Sequence, residues 1–263
     1  MAEVKTRKKH PYTLRKFLEE KAVKYNKIEF IQDDPVNVPH KFDMIENIEI
    51  AGFLAATLAW GQRGVIIRNA LDIMARMDHD PHDFLMNMED SDLQVFNGFR
   101  HRTFNEEDCR SFIRSLGRIY REEGGLYDVF LRGYRKNGEI KEAIGDFRRL
   151  FTREGFAIRS LKHVADPFEG SSAKRLNMFL RWMVRRDDAG VDFGIWEGIS
   201  PADLYLPLDL HTGNVARKLG LLKRKQNDWK AVEELTSVLR EFDPMDPVKY
   251  DFALFGLGIF EHY

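Results

Sequence analysis

Apolar side chains recur three and four positions apart along almost the whole chain, and no stretch alternates apolar with polar for more than a few residues. That period belongs to helices buried on one face, so the expected fold class is all-α. The spacing predicts a first helix over Thr13–Tyr25, with Leu14, Phe17, Leu18, Ala22 and Tyr25 on one face. A loop over Gln32–Phe42 follows, punctuated by Asp34-Pro35 and Pro39. Asp43 is placed to cap a helix running to about Trp60, with Glu46 in the capping-box position. Gly61 and Gly64 interrupt it before a helix over Val65–Met77, and Asp80-Pro81 opens a short one. Asn105, followed by three acidic residues, begins a helix to about Arg121. Further helices are predicted over Leu126–Tyr134, Ile140–Arg153 and Ala173–Arg185. After a Gly- and Pro-rich loop over Asp187–Pro207, one starts near Asp209 and stops at Gly220, one is capped by Asp228, and a last one follows Asp246-Pro247.

A chain of 263 residues with 43% hydrophobic content has material for a large core or two smaller ones. The divisions expected are an N-terminal helix and loop over 1–42, a helical lobe over 43–167, and a second lobe over 168–263. A single cysteine, Cys109, excludes a disulfide framework and any four-cysteine metal or cluster site. No apolar run has the length of about 18 residues that a membrane span needs. Met1–His10 is polar and basic without an apolar core, so it does not read as a secretory signal, and a cytoplasmic location is expected. Net charge is −1, which argues against bulk attraction to nucleic acid. Charge is uneven, however. Between Phe147 and Arg186 ten basic residues face three acidic ones, a local balance of +7. Such a run is either an electrostatic footprint for phosphates or a solvated helical face.

Two segments carry residues suited to chemistry. Gly170-Ser171-Ser172-Ala173-Lys174 is a small polar turn feeding a helix start, where unpaired N–H groups suit an anionic phosphate. Lys174 falls in the first helical turn, the unfavourable end for a cation, and an amine nucleophile has to be neutral to attack. The bland alternative is a capped helix with an exposed lysine. The second segment is Leu208-Asp209-Leu210-His211, an apolar approach to a helix containing Val215, Ala216 and Arg217. Asp209 is an N-cap, or a carboxylate that activates a nucleophile and stabilises developing positive charge. His211 reads as a structural hydrogen-bonder, because no neighbouring His, Cys or carboxylate supplies metal-ligand spacing; no metal is expected.

Together these segments resemble the helix-hairpin-helix DNA glycosylases of the endonuclease III group. Gly170, Lys174 and Asn177 match the family's hairpin, with Ser172 in place of its second glycine, and Leu208-Asp209-Leu210-His211 is similar to its Val-Asp-x-His segment, with Arg217 shifted. Leu58-Ala59-Trp60-Gly61-Gln62 approximates an earlier family segment. The likeness is best over 168–263 and thin over 51–77. The loop before Asp209 is more similar to the archaeal 8-oxoguanine branch, and the whole chain resembles a bacterial family built on this domain. The resemblance implies a two-lobed helical fold with a helix-hairpin-helix element and no iron–sulfur cluster, the C-terminus having no cysteine; no cofactor is expected. It implies excision of a flipped damaged base, an oxidised purine among the options, from double-stranded DNA by a monomer, with or without AP-lyase activity. Lys174 would be the nucleophile and Asp209 its activator. Gly170, Ser171, Ser172, Arg175, Gln62 and Arg63 would contact DNA, and Trp60 and His211 would border the base pocket. Trp60, Trp182, Phe179 and Tyr250 are aromatic residues able to stack a base or fill a core. The rival readings are a non-catalytic nucleic-acid-binding module on the same scaffold and a helical protein-interaction domain. The segment from Asp34 to His40 either lines the cleft or bridges the lobes.

Overall fold

Eleven α-helices carry the described residues, 11–263 of a computed structural model. The segment 1–10, read above for its missing signal features, lies outside them. The helices are α1 (Pro11–Tyr25), α2 (Ile45–Thr57), α3 (Arg63–Arg76), α4 (Pro81–Asn87), α5 (Glu106–Glu122), α6 (Leu126–Arg135), α7 (Ile140–Phe151), α8 (Lys174–Val184), α9 (Leu210–Lys218), α10 (Trp229–Phe242) and α11 (Tyr250–Phe260). The fold is all-α. Among the described residues the one sheet is a hairpin of two-residue strands, Arg100–His101 and Phe104–Asn105, too short for alternation to reveal. No helix among the described residues is long and apolar enough to cross a membrane.

Four of the eleven α-helix starts are set by side-chain caps. Asp80, Asn105, Asp209 and Asp228 each accept a backbone N–H of the first turn, and Asn105 and Asp108 form a full capping box. The expected Asp43–Glu46 box does not form. Met44 stands at the N-cap without a side-chain bond, and α2 begins at Ile45. Packing replaces the cap there, since Asn47 through Thr57 are all buried. Within the predicted Gln32–Phe42 loop stand two short 3-10 turns with proline first, Pro35–Asn37 and Pro39–Lys41, and a third, Ile28–Phe30, precedes it.

Two apolar cores result. The larger surrounds α2, with α5, α6, α7 and α8 contributing a cluster of rings that includes Phe53, Phe112, Phe147 and Phe179. The smaller joins Leu14, Leu18 and Ala22 of α1 to Leu206, Leu208 and the buried faces of α9, α10 and α11. The turn ahead of α8 anchors only Ala173 in the larger core, and a cleft opens where the two cores adjoin.

Candidate active site in the cleft between the two cores

Lys174 is the first residue of α8, after Ala173 in the left-handed region at φ +46 with no side-chain cap. The N–H groups of that first turn therefore remain open. Gly170 takes φ +86, which glycine adopts without strain. The turn is held from three sides. Ser171 N–H donates to Asp166 O (3.0 Å), Trp229 N–H donates to Gly170 O (3.1 Å), and Asn177 Nδ2 donates to Ser172 O (3.1 Å). The arm before it is a six-residue 3-10 helix, Ile158–His163, rather than an α-helix.

The Ser172 hydroxyl donates to Leu208 O at 3.3 Å, tying the turn to the segment that delivers Asp209. Asp209 caps α9 by accepting from Thr212 N–H (2.9 Å), and its carbonyl accepts from Asn227 Nδ2 (2.8 Å). Arg217 steadies this corner by donating to Arg224 O (2.7 Å) and to Asn227. Asn227 carried no signal in the sequence, because its role depends on a contact eighteen positions away.

Lys174 and Asp209 are both half-buried and line the same cleft. Among the described residues no ion pair joins them, so both groups remain available. An outer groove of about 520 Å³ is bordered by Trp60, Ser172, Arg175, Leu208 and His211. It adjoins a narrower inner pocket of about 70 Å³ walled by Tyr25, Phe30, Trp182, Phe252, Phe255 and Phe260. Asp34, Arg63, Lys174, Met178, Asp209 and Phe255 belong to both, and so stand at the passage between them. The Asp34 turn thus lines the cleft, which answers the question left open for that loop.

Behind the pocket lies a buried ionic network. Arg181 bonds Asp192 (3.2 Å) and Asp251, while Arg185 bonds Asp192 (3.1 Å), Asp246 (2.9 Å) and Asp187 (2.7 Å). Burial pushes the Asp251 carboxyl up to about 6, Arg181 pulls it down, and the nearby charges of Asp209 and Lys174 act on it with opposite signs. Asp251 therefore lies within the electrostatic reach of both candidate groups.

The other predicted residues divide. Arg63 stands at the passage with its guanidinium 4.9 Å from the Phe255 ring centre. Gln62 is exposed at the start of α3, and Gly170 and Ser171 are exposed on the turn. Arg175 borders the groove, but its guanidinium donates to Thr57 O (2.6 Å) and His163 O (3.0 Å) and stacks on Trp60 at 4.9 Å. Burial lowers it to about 10. Trp60 is covered on its other contacts by His101 and His163. Trp182 walls the pocket, whereas Phe179 and Tyr250 are core residues.

The basic run is not a free stripe. Arg148, Arg149, Arg153, Arg159, Arg181, Arg185 and Arg186 are each paired with a carboxylate. The +7 balance along the chain counts neighbours in sequence, and folding supplies the missing acids from Glu122, Asp108, Asp192 and Glu197. Lys162, Lys174 and Arg175 are the members of the run left without an ion pair among the described residues, and Arg175 is held by the carbonyls of Thr57 and His163 instead. No group of three or more His, Cys, Asp or Glu side chains among those residues is placed to hold a metal ion.

A family model described as "Protein of unknown function (DUF2400)" matches residues 34–260, and the chain belongs to that family. No curated protein and no solved structure matches the chain.

Proposed function

We propose that the chain is a cytoplasmic, monomeric DNA base-excision glycosylase that acts on duplex DNA carrying a damaged base. The observation that carries this reading is the placement of Lys174 and Asp209 on one cleft, at the passage into an aromatic-walled pocket. The open N–H groups at the start of α8 suit a backbone phosphate, and the groove leads an extruded base past both side chains into the pocket. Asp209 accepts a proton from the Lys174 ammonium. The freed amine attacks the sugar C1′, the bond from C1′ to the base nitrogen breaks, and its electron pair leaves with the base. Asp209 returns its proton to the departing base, and the carboxylate so regenerated stabilises the cationic sugar. One proton then passes from the newly bonded nitrogen to O4′ as the C1′–O4′ bond breaks and the nitrogen lone pair closes the C=N bond, which gives a protonated Schiff base. Removal of a C2′ proton then expels the 3′ phosphate and nicks the strand.

Borohydride reduction of that Schiff base tests the reading. Duplexes carrying oxidised, deaminated or alkylated bases, and one carrying an abasic site, are incubated with the full chain and reductant. A covalent protein–DNA adduct is expected with at least one duplex, and Lys174→Gln abolishes it. Absence of an adduct with every duplex overturns the lyase step. Absence of base release as well overturns the glycosylase.

A further inference from the structure

Resting on the glycosylase reading of this cleft, we propose that its inner pocket selects a base bearing ring carbonyls in place of amino or alkyl groups, through the side chains of Arg63, Trp182 and Thr212. All three line the pocket, and each carries a buried polar atom without a hydrogen-bond partner: Arg63 Nη2, Trp182 Nε1 and Thr212 Oγ1. Trp182 and Thr212 are almost wholly inaccessible, at 0% and 1% exposure. Buried polar groups in folded proteins are nearly always paired, so three orphans around one cavity mark a place where partners are to be supplied.

The chemistry of the orphans fixes what those partners must be. An indole N–H and a guanidinium only donate, while a hydroxyl does either. Two obligate donors ask for acceptors. The walls are planar rings, which favour a flat ligand stacked between them. The Arg63 guanidinium lies against Phe255 and Phe260, at 4.9 and 5.7 Å from their ring centres, and its buried Nη2 has no hydrogen-bond partner. No acceptor bordering the pocket bonds these three atoms in the structure; Asp34 caps the turn at Pro35, and Asp251 is paired with Arg181. A flat ligand with exocyclic oxygens meets the donors, whereas one with amino groups at the same positions leaves two donors facing donors.

Equilibrium dialysis of the full chain against free bases tests this without DNA or catalysis. Hypoxanthine is compared with adenine, and uracil with cytosine, each pair differing by a carbonyl in place of an amino group. The oxo member of each pair is expected to bind at least about tenfold tighter. Thr212→Val and Trp182→Phe, checked for unchanged thermal unfolding, should each reduce that preference. Equal binding within both pairs, preference for the amino member, or no saturable binding of any base at millimolar concentration overturns the proposal. Thr212→Val keeps shape and serves if Trp182→Phe unfolds. The two proposals fail separately. Selective base binding without a borohydride adduct leaves the pocket and removes the chemistry, and an adduct without oxo preference does the reverse.

Discussion

Asp209 caps α9, and the glycosylase proposal gives it a second task that one substitution can separate from the first. As the N-cap of α9 it accepts from Thr212 N–H, and asparagine caps a helix as well as aspartate does. Asp209→Asn is therefore expected to leave the denaturation midpoint nearly unchanged while lowering single-turnover base release by about 10²–10⁴-fold, the usual range for a lost general base or charge stabiliser. Asp209→Ala should add a stability loss of about 1 kcal/mol from the missing cap. An Asn variant of normal activity would reduce Asp209 to a cap. Glu49 poses a different question at the same scale. It is buried in the larger core, accepting from Tyr120 Oη (2.8 Å) and Trp196 Nε1 (2.7 Å), and burial raises its carboxyl to about 7. The folded state then holds a proton that the unfolded chain has released. The associated stability is complete below pH 4.5, the group's ordinary value, and is lost as pH rises through about 7, a change of about 3 kcal/mol. Glu49→Gln removes that titration, because its amide accepts from Trp196 and donates to the Tyr120 oxygen. Urea titrations at pH 5 and pH 8 should show a smaller decline for the variant than for the wild type, and parallel declines would remove Glu49 as the cause.

Between elements, α1 and α11 pack so closely that a glycine decides the distance. A β-carbon added at Gly256 would overlap the Tyr25 ring, and Tyr25 is itself buried. In an exposed helix, glycine to alanine is stabilising by up to about 1 kcal/mol. Here the sign reverses: Gly256→Ala should destabilise by about 1–3 kcal/mol through overpacking. Urea denaturation measures it, and a raised midpoint would show that α1 does not rest there. Because Tyr25 and Phe260 also wall the inner pocket, the same variant should weaken base binding. The sequence made the element types legible: helical spacing located α1, α5 and α8, and the caps Asn105, Asp209 and Asp228 marked starts within a residue. It placed the start of α2 within a residue but named a cap that does not form, because a helix buried over most of its length is positioned by its neighbours and not by its own first turn. Lys174 and Asp209 were legible because a tight turn and a cap leave local signatures. The pocket walls were not. Tyr25, Phe252 and Phe260 come from opposite ends of the chain, and an aromatic on a helix carries no mark of which surface it will face.

At the scale of the molecule the decisive quantity is charge after folding. The chain has 41 basic and 42 acidic residues, and most of the basic run between Phe147 and Arg186 is neutralised by carboxylates brought from elsewhere. On the glycosylase proposal, the chain would have few free cations at the cleft to exchange for a duplex's counterions. Lys174 lies on the cleft, Arg63 stands at the passage, and Lys162 is exposed. The helix start adds N–H donors, which hold a phosphate without being cations. Each neutralised phosphate contributes about −0.9 to the slope of log K against log salt. The expected slope for a lesion-bearing duplex is therefore shallow, no steeper than about −4. Lys174→Gln should make it shallower by about one, whereas Arg149→Gln, whose guanidinium is paired with Asp146, should leave it unchanged. Fluorescence anisotropy over a range of salt concentrations measures all three. A slope of about −8 or steeper would mean that the paired arginines release their carboxylates on binding. Affinity in this protein would then come from the basic run and not from the cleft.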